Sequence, residues 1–284
     1  MTAAAEPSAE PSAAQDTDAG AAEGAGVRVA LVQLPVDDTA TPGDRLLMVQ
    51  QQVAQAAADG TQLVVLPEIW TTGAFDIERG IPQAEALAGP TAAALSALAT
   101  EHGIWLHGGS FLERDGGHIY NTSTLFDPSG ELAARYRKIH LFGFDTGEAT
   151  LLTAGSELVI VPTPLGATAL ATCYDLRFPE LFRALTAAGA EAVLLASSWP
   201  LARIAHWRTL VAARAIENQL PVVACNATGS HAGVVQGGES MIVDATGLLL
   251  AKADHDPALL GATVVSAVTA RTRVDFPVLL DRRL

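Results

Sequence analysis

The chain has 284 residues, enough for one large domain or two small ones. Its 17 Lys and Arg against 31 Asp and Glu give a formal net charge of −14, which repels phosphate backbones and anionic lipids and argues against a nucleic-acid or membrane partner. No apolar run reaches the ~18 residues of a membrane span, and the two cysteines, Cys173 and Cys225, are too few for a disulfide framework. These features predict a soluble protein of the cytoplasm.

The first 26 residues differ in composition from the rest of the chain. After Met1 they consist mainly of Ala, Ser, Pro, Gly and acidic residues, with no large apolar side chain. Such a segment cannot bury enough apolar surface to offset the entropy lost on ordering it. We therefore predict a disordered tail over residues 1–26 and a single domain over residues 27–284.

From Val27 onward, short apolar runs alternate with segments of helical periodicity, which is typical of a mixed α/β domain. The predicted strands are Val27–Leu34, Leu63–Leu66, Ile104–Ser110, Tyr120–Phe126, Val159–Val161, Ala167–Thr172, Ala192–Ala196, Val222–Cys225, Met241–Asp244 and Leu248–Ala251. The predicted helices are Asp44–Ala58, Thr91–His102, Pro179–Ala188 and Ala202–Gln219. Because several of these strands are almost wholly apolar, we expect sheets that are covered on both faces. Trp207 and Val211 belong to an apolar stripe on the last helix and are interpreted as core residues.

Three residues whose side chains can take part in catalysis follow predicted strands. Glu68 comes after Leu63–Leu66 and Pro67, Cys173 comes after Ala167–Thr172, and Lys138 ends a strand-like stretch. Ends of strands are where α/β proteins build their sites. Cys173 lies at a strand-to-helix elbow, where backbone amides can lower the pKa of a thiol and hold an oxyanion.

Each of these residues also has an ordinary structural explanation. Glu68 alone fits a loop carboxylate, Cys173 a small core residue, and Lys138 a solvated cation. Cys225, inside the apolar run Val222–Cys225, is interpreted as core. Together, however, a thiol, a carboxylate and an ammonium at strand ends form the minimum set for acyl transfer through a thioester.

Other catalytic motifs are missing from the sequence. It contains no H-E-x-x-H and no paired C-x-x-C, and we interpret His102, His107 and His118 as surface or loop residues, so no metal or other cofactor is expected. It contains no G-x-S-x-G elbow, which argues against a serine α/β-hydrolase.

The segments Leu-Pro-Glu68, Arg-Lys138-Ile-His and Cys173-Tyr-Asp-Leu-Arg-Phe-Pro-Glu resemble the three signature segments of the nitrilase, or carbon–nitrogen hydrolase, superfamily, in the family's order. The resemblance extends over residues 27–284. It implies a four-layer αββα sandwich, and protomers that pair into a homodimer or a higher homo-oligomer.

The resemblance also implies roles for individual residues. Cys173 would be the nucleophile, Glu68 the general base, and Lys138 the stabiliser of an oxyanion that also meets the backbone N–H of Tyr174. Glu148 matches a second carboxylate of the family site. Because the preceding segment is variable in the family, the alternative for that carboxylate is Asp145.

Residues near the predicted site suggest a substrate pocket. Trp199 follows a core strand and is a candidate for the pocket wall, and Arg203 is a candidate to meet a substrate carboxylate. Arg177 is expected to form an ion pair with Glu180 or Asp175.

Within the superfamily, the segments around Lys138 and Cys173 resemble ω-amidase-like amidases most. That resemblance implies a hydrolase of small carboxylic amides, with an amide and water as substrates and with acid and ammonia as products. A nitrile or N-carbamoyl amino acid hydrolase that uses the same three residues is the alternative. A further alternative, from another class, is a non-catalytic protein that binds a small molecule.

Overall fold

The computed structural model describes residues 26–283. Residues 1–25, nearly all of the predicted disordered tail, and Leu284 lie outside the described residues. The strands are β1 (Val27–Gln33), β2 (Leu63–Val65), β3 (Trp105–Asp115), β4 (His118–Phe126), β5 (Leu132–Arg137), β6 (Ile160–Thr163), β7 (Gly166–Thr172), β8 (Ala192–Ser197), β9 (Val222–Asn226), β10 (Ser230–His231), β11 (Val234–Val235), β12 (Met241–Val243), β13 (Leu249–Lys252) and β14 (Ala258–Val264). The helices are α1 (Pro42–Ala58), α2 (Ile77–Gly80), α3 (Pro90–His102), α4 (Glu148–Leu151), α5 (Pro179–Ala187), α6 (Ile204–Asn218) and α7 (Ser266–Asp275).

The main strands form two six-stranded sheets of similar design. The order in the first sheet is β14-β1-β2-β3-β4-β5, and in the second it is β13-β12-β9-β8-β7-β6. The central strands β1, β2 and β3 run parallel, as do β7, β8 and β9, while the outer neighbours pair antiparallel. The carboxyl ends of the parallel strands therefore meet at one edge of each sheet.

Three apolar clusters define four layers. Val49 of α1 and Leu95 of α3 pack on the outer face of the first sheet, and Phe182 of α5 packs with α6 on the outer face of the second. The inner faces of the two sheets meet through residues such as Val65 and Leu194. The predicted four-layer αββα sandwich is confirmed.

Strand β8 illustrates why the central strands lack polar alternation. All of its residues are buried. Val193 and Leu195 face the helices α5 and α6, whereas Ala192 and Leu194 face the first sheet. Because both faces are covered, both sets of side chains must be apolar or small, as expected from the nearly continuous apolar run. Trp207 and Val211 are also fully buried, which confirms their interpretation as core.

Some elements differ from the prediction. Helix α1 begins at Pro42, before the predicted start at Asp44, because Thr41 caps it. The Thr41 hydroxyl accepts from the Asp44 N–H at 3.1 Å, and the Asp44 carboxylate accepts from the Thr41 N–H at 2.9 Å. Strand β14 and helix α7 were not predicted. Both are half exposed or exposed over most of their length, so their sequences lack a strong apolar pattern.

The interpretation of His107 as a surface or loop residue is wrong. His107 lies in β3 and is fully buried, and its Nδ1 accepts a 3.3 Å hydrogen bond from the Gly109 N–H next to a bulge in the strand. His102, in contrast, is partly exposed, and His118 is exposed.

Cys225 is fully buried between the sheets, as predicted. Within residues 26–283, no helix combines the length and apolar character needed to cross a membrane.

Candidate active site

Cys173 lies at a sharp turn between β7 and α5. It opens a 3₁₀ turn over Cys173–Arg177, and its φ of 46° places it in the left-handed region, which a residue with a Cβ rarely adopts. Such a strained conformation persists only where the surroundings enforce it, and it is frequent at functional sites. The thiol side chain is 8% exposed and faces a pocket.

A buried network around Asp175 holds this turn in place. The Asp175 carboxylate accepts from the Thr172 N–H at 2.9 Å and from the Tyr136 hydroxyl at 2.7 Å. It also accepts from the His140 N–H at 3.0 Å, and its Oδ1 lies 2.8 Å from the His140 Nδ1. Tyr136 is on β5 of the first sheet, so the network joins the cysteine turn of the second sheet to the segment that carries Lys138. Sequence reasoning missed this network.

Glu68 follows β2 and reaches across to the second sheet. Its Oε2 accepts from the Ser198 N–H at 2.9 Å, and its backbone oxygen accepts from the Ser198 hydroxyl at 2.8 Å. The preceding Pro67 packs so closely on Gly109 that a Cβ there would lie 1.9 Å from the Pro67 oxygen. Only glycine fits at that point of β3, and the close packing helps to fix the turn that presents Glu68.

Lys138 follows β5 and bridges two carboxylates. Its Nζ donates to Glu68 Oε1 at 2.7 Å and to Glu148 Oε2 at 2.6 Å. Glu148 opens the short helix α4, and its Oε2 also accepts from the Phe142 N–H at 2.8 Å. All three charged side chains are at most 4% exposed. Asp145 is exposed, so the structure brings Glu148, and not Asp145, to Lys138.

The electrostatics of the site follow from its burial. Burial disfavours the charged form of Lys138, but the Glu148 and Glu68 carboxylates outweigh it and raise the pKa of Lys138 well above its usual value. Burial raises the pKa of Glu148, against the opposing effect of Lys138. Burial and the Glu68 charge raise the pKa of Cys173. The pKa shift is thus opposite to the one expected at the elbow, because loss of hydration and the Glu68 charge outweigh the Lys138 charge.

Glu68, Lys138, Glu148 and Cys173 line one pocket of about 370 Å³ that opens to solvent. Its wall also includes Phe75, Phe142, Tyr174, Arg177, Trp199 and Arg203. Trp199 is 2% exposed, and its indole N–H donates to the Arg203 oxygen at 2.9 Å. The structure thus places Trp199 and Arg203 at the pocket, together with the predicted catalytic residues.

Arg177 does not form the expected ion pair with Glu180 or Asp175. Asp175 is occupied by the buried network, and Glu180 is exposed. Arg177 instead lies over the Trp199 ring, 4.6 Å from its centroid, and contacts His206 Nδ1 at 3.3 Å. Burial and the nearby Arg203 guanidinium lower the pKa of Arg177. In the described part of the chain, neither Arg177 nor Arg203 has a carboxylate oxygen within 4.0 Å.

Comparison with known proteins identifies the family to which this site belongs. The family model described as carbon-nitrogen hydrolase matches residues 28–274. The chain belongs to the carbon–nitrogen hydrolase family. It is an amidohydrolase that acts on carbon–nitrogen bonds other than peptide bonds.

Relatives of this carbon–nitrogen hydrolase span almost its whole length. It is 43% identical over 263 residues to a 2-oxoglutaramate amidase of Paenarthrobacter nicotinovorans, an alignment that covers 90% of this chain and 89% of that protein. It is 36% identical over 221 residues to a 2-oxoglutaramate amidase of Bacillus subtilis, covering 78% and 85%. A CN-hydrolase superfamily protein from Xanthomonas campestris, with an arsenic adduct in its active site, matches with a TM-score of 0.84, 30% identity and coverage of 92% and 98%.

Sequence reasoning missed one polar residue inside the site of this carbon–nitrogen hydrolase. Asn121 on β4 is buried, and its side-chain amide contacts both Glu68 and Glu148. The available signal was its place in the run Tyr120–Phe126, where a buried strand carries polar residues that need partners.

Proposed function

We propose that this carbon–nitrogen hydrolase removes the terminal amide of a small dicarboxylic acid monoamide, of the 2-oxoglutaramate type, and releases the acid and ammonia. The observation that carries the proposal is that Glu68, Lys138 and Cys173 line one pocket with two arginines, neither of which has a carboxylate partner within residues 26–283. The printed names of the two amidase relatives support the same substrate class.

The first step forms a thioester. Because burial raises the pKa of Cys173, the resting group is a thiol, and its proton must leave as the attack proceeds. Glu68, whose charge acts on that thiol, takes the proton as general base while the sulfur bonds to the amide carbon. Glu68 then returns the proton to the amide nitrogen, and ammonia leaves.

The second step hydrolyses the thioester. Glu68 now takes a proton from a water molecule, and the resulting hydroxide bonds to the thioester carbon. The carbon–sulfur bond breaks, the carboxylic acid leaves, and the proton returns to the Cys173 sulfur. The same carboxylate thus acts as base and acid in both halves of the reaction.

Both steps place negative charge on the former carbonyl oxygen. The Lys138 ammonium and the Tyr174 backbone N–H are the proposed donors to it, an arrangement worth roughly 3–4 kcal/mol per donor. Lys138 must stay protonated for this role, and its two carboxylate partners favour that state. Glu148 is proposed to hold the ammonium in place through its 2.6 Å hydrogen bond.

Arg203 and Arg177 are proposed to recognise the carboxylate at the far end of the substrate. Two neighbouring guanidinium groups in a partly buried wall repel each other, and an anion between them relieves that repulsion. A dicarboxylic acid monoamide carries such an anion, whereas a simple amide does not. Trp199 supports the site, because its ring packs under the Arg177 guanidinium.

The test is ammonia release by the wild type, Cys173→Ala and Cys225→Ala. The substrates are ω-amides of dicarboxylic acids, N-carbamoyl amino acids, simple amides and nitriles. We expect the ω-amides to react fastest, with activity lost in Cys173→Ala and kept in Cys225→Ala, since Cys225 lies in the core. A nitrile or N-carbamoyl substrate that reacts fastest would replace the proposed substrate class. Turnover by Cys173→Ala would exclude the thioester.

We also propose that the chain forms a homodimer or a higher homo-oligomer in the cytoplasm. Large apolar side chains are exposed near the end of α6, in the turn before β13 and after α7: Ile216 is 53%, Leu248 60% and Phe276 67% exposed. Exposed apolar patches mark association surfaces. Two free cysteines fit a reducing compartment. Light scattering tests the oligomer: the wild type should exceed the mass of one chain, and Ile216→Asp should reduce it.

A further inference from the structure

The side-chain amide of Asn121 lies between the two carboxylates of the site. Its Nδ2 donates to Glu68 Oε1 at 2.9 Å and to Glu148 Oε1 at 2.6 Å. Its Oδ1 is buried and, within residues 26–283, has no hydrogen-bond partner. A buried oxygen without a partner costs free energy, so satisfying the amide's own hydrogen bonds does not explain this placement.

The contacts fix which end of the amide faces the carboxylates. With Oδ1 turned toward them, three acceptor oxygens would meet with no hydrogen between them. With Nδ2 in that place, both amide hydrogens are used, one by each carboxylate. The remaining oxygens are acceptors as well, since Glu68 Oε2 accepts from the Ser198 N–H and Glu148 Oε2 accepts from Lys138 and from the Phe142 N–H. All four oxygens therefore face donors, which matches two ionised carboxylates.

Two ionised carboxylates and one ammonium leave the buried cluster with a net charge of −1. Lys138 donates to Glu68 and Glu148 from one side, and Asn121 donates to both from another. Like charges in a buried site favour protonation of one member, which would remove either the base or a partner of Lys138. The Asn121 amide opposes this protonation, because its N–H hydrogens carry partial positive charge and donate to both carboxylates. The amide group itself does not titrate.

We propose that Asn121 is a positioning residue that keeps Glu68 and Glu148 ionised and aligned around Lys138. The inference rests on the proposed role of Glu68 as general base. The backbone of the same residue contributes as well, because its oxygen accepts from the Lys138 N–H at 2.9 Å. One residue of β4 thereby sets the place of both carboxylates and of the strand end that carries the ammonium.

The test compares Asn121→Asp with Thr122→Val. Asn121→Asp keeps the shape of the side chain but replaces the donor with a third carboxylate. We expect kcat to fall about 10- to 100-fold with little change in KM, and the acid limb of the kcat/KM profile to move about one pH unit upward. Thr122 is the matched control: it lies next on β4 and donates at 2.6 Å to Glu113, a buried carboxylate outside the site. Thr122→Val should lower stability and leave the pH profile unchanged.

A second readout makes this test independent of the substrate. The rate at which iodoacetamide alkylates Cys173 follows the ability of Glu68 to take up the thiol proton, so its pH profile should shift in the same direction. An unshifted acid limb in Asn121→Asp would overturn the inference even if kcat fell, since a purely structural role predicts that result. Should Asn121→Asp not fold, Asn121→Ser takes its place under the same criteria. Absence of amide hydrolysis by the wild type, in contrast, would count against the proposed function alone.

Discussion

Lys138 donates a 2.6 Å hydrogen bond to Glu148, ten residues further along the chain, and both side chains are almost completely buried. Each charge is far less hydrated than it would be in the unfolded chain, and each depends on the other for compensation. Glu68 shares the same ammonium at 2.7 Å. Loss of Lys138 would therefore affect stability as well as chemistry.

We expect Lys138→Ala to abolish turnover and to lower the free energy of unfolding by about 3–5 kcal/mol, because it leaves two buried carboxylates unpaired. Denaturant unfolding and ammonia release measure the two effects. The control is Lys252→Ala, since the Lys252 ammonium is more exposed and lies 3.6 Å from Glu239, a contact worth about 0–1 kcal/mol.

The double variant Lys138→Ala/Glu148→Gln separates the two contributions of Lys138. Removal of one buried charge should recover part of the lost stability, while turnover stays absent because the oxyanion donor is missing. Turnover by either variant would show that Lys138 is not needed in the chemical steps.

The two cysteines should differ in reactivity although burial raises the pKa of both thiols. Cys173 opens onto the pocket beside Glu68, whereas Cys225 is fully buried and donates to the Val32 oxygen at 3.2 Å. We expect iodoacetamide to label Cys173 first, and Glu68→Gln to slow that labelling. Peptide mass spectrometry over time measures both rates. Equal slow labelling of the two thiols would contradict an activated nucleophile.

Arg203 should determine the preference for anionic substrates. We expect Arg203→Ala to raise KM for a dicarboxylic acid monoamide about 10- to 100-fold, the effect of losing one charge-assisted hydrogen bond. The kcat/KM for an uncharged aliphatic amide should stay the same. Arg208→Ala is the control. Arg208 lies on α6, which begins directly after Arg203, but it binds Glu239 outside the pocket. Equal losses on both substrates would exclude the recognition role.

His107 should make the fold sensitive to acid. Burial lowers the pKa of His107 to about 4, against an ordinary value of 6.5. Between these pH values the unfolded chain binds a proton that the folded chain excludes, so the free energy of unfolding should fall as pH drops from 6.5 to 4. The loss attributable to this residue is about 3 kcal/mol.

Denaturant unfolding across this pH range, compared between the wild type and His107→Leu, measures that effect. The variant should lose part of the pH dependence whatever its stability at pH 7. His118→Leu serves as the control for loss of a histidine at an exposed position. Identical slopes for the wild type and His107→Leu would refute the prediction.

The amino-acid sequence by itself determined the buried central strands of this protein and the types of its reactive residues. Central strands such as β8 are covered on both faces, so their apolar runs identify them without further context. Glu68, Lys138 and Cys173 each follow such a strand or the hairpin beside it, and strand ends are local features of the chain. The approximate place of each reactive group was therefore predictable.

Only the tertiary structure decided which groups meet and how their protons are held. Glu148 rather than Asp145 contacts Lys138, and Asn121 bridges two carboxylates that come from distant segments. The raised pKa of Cys173 and the burial of His107 also depend on which segments cover them. Hydration, charge pairing and hydrogen bonding act through space between residues far apart in the chain, and sequence patterns report only neighbours along it.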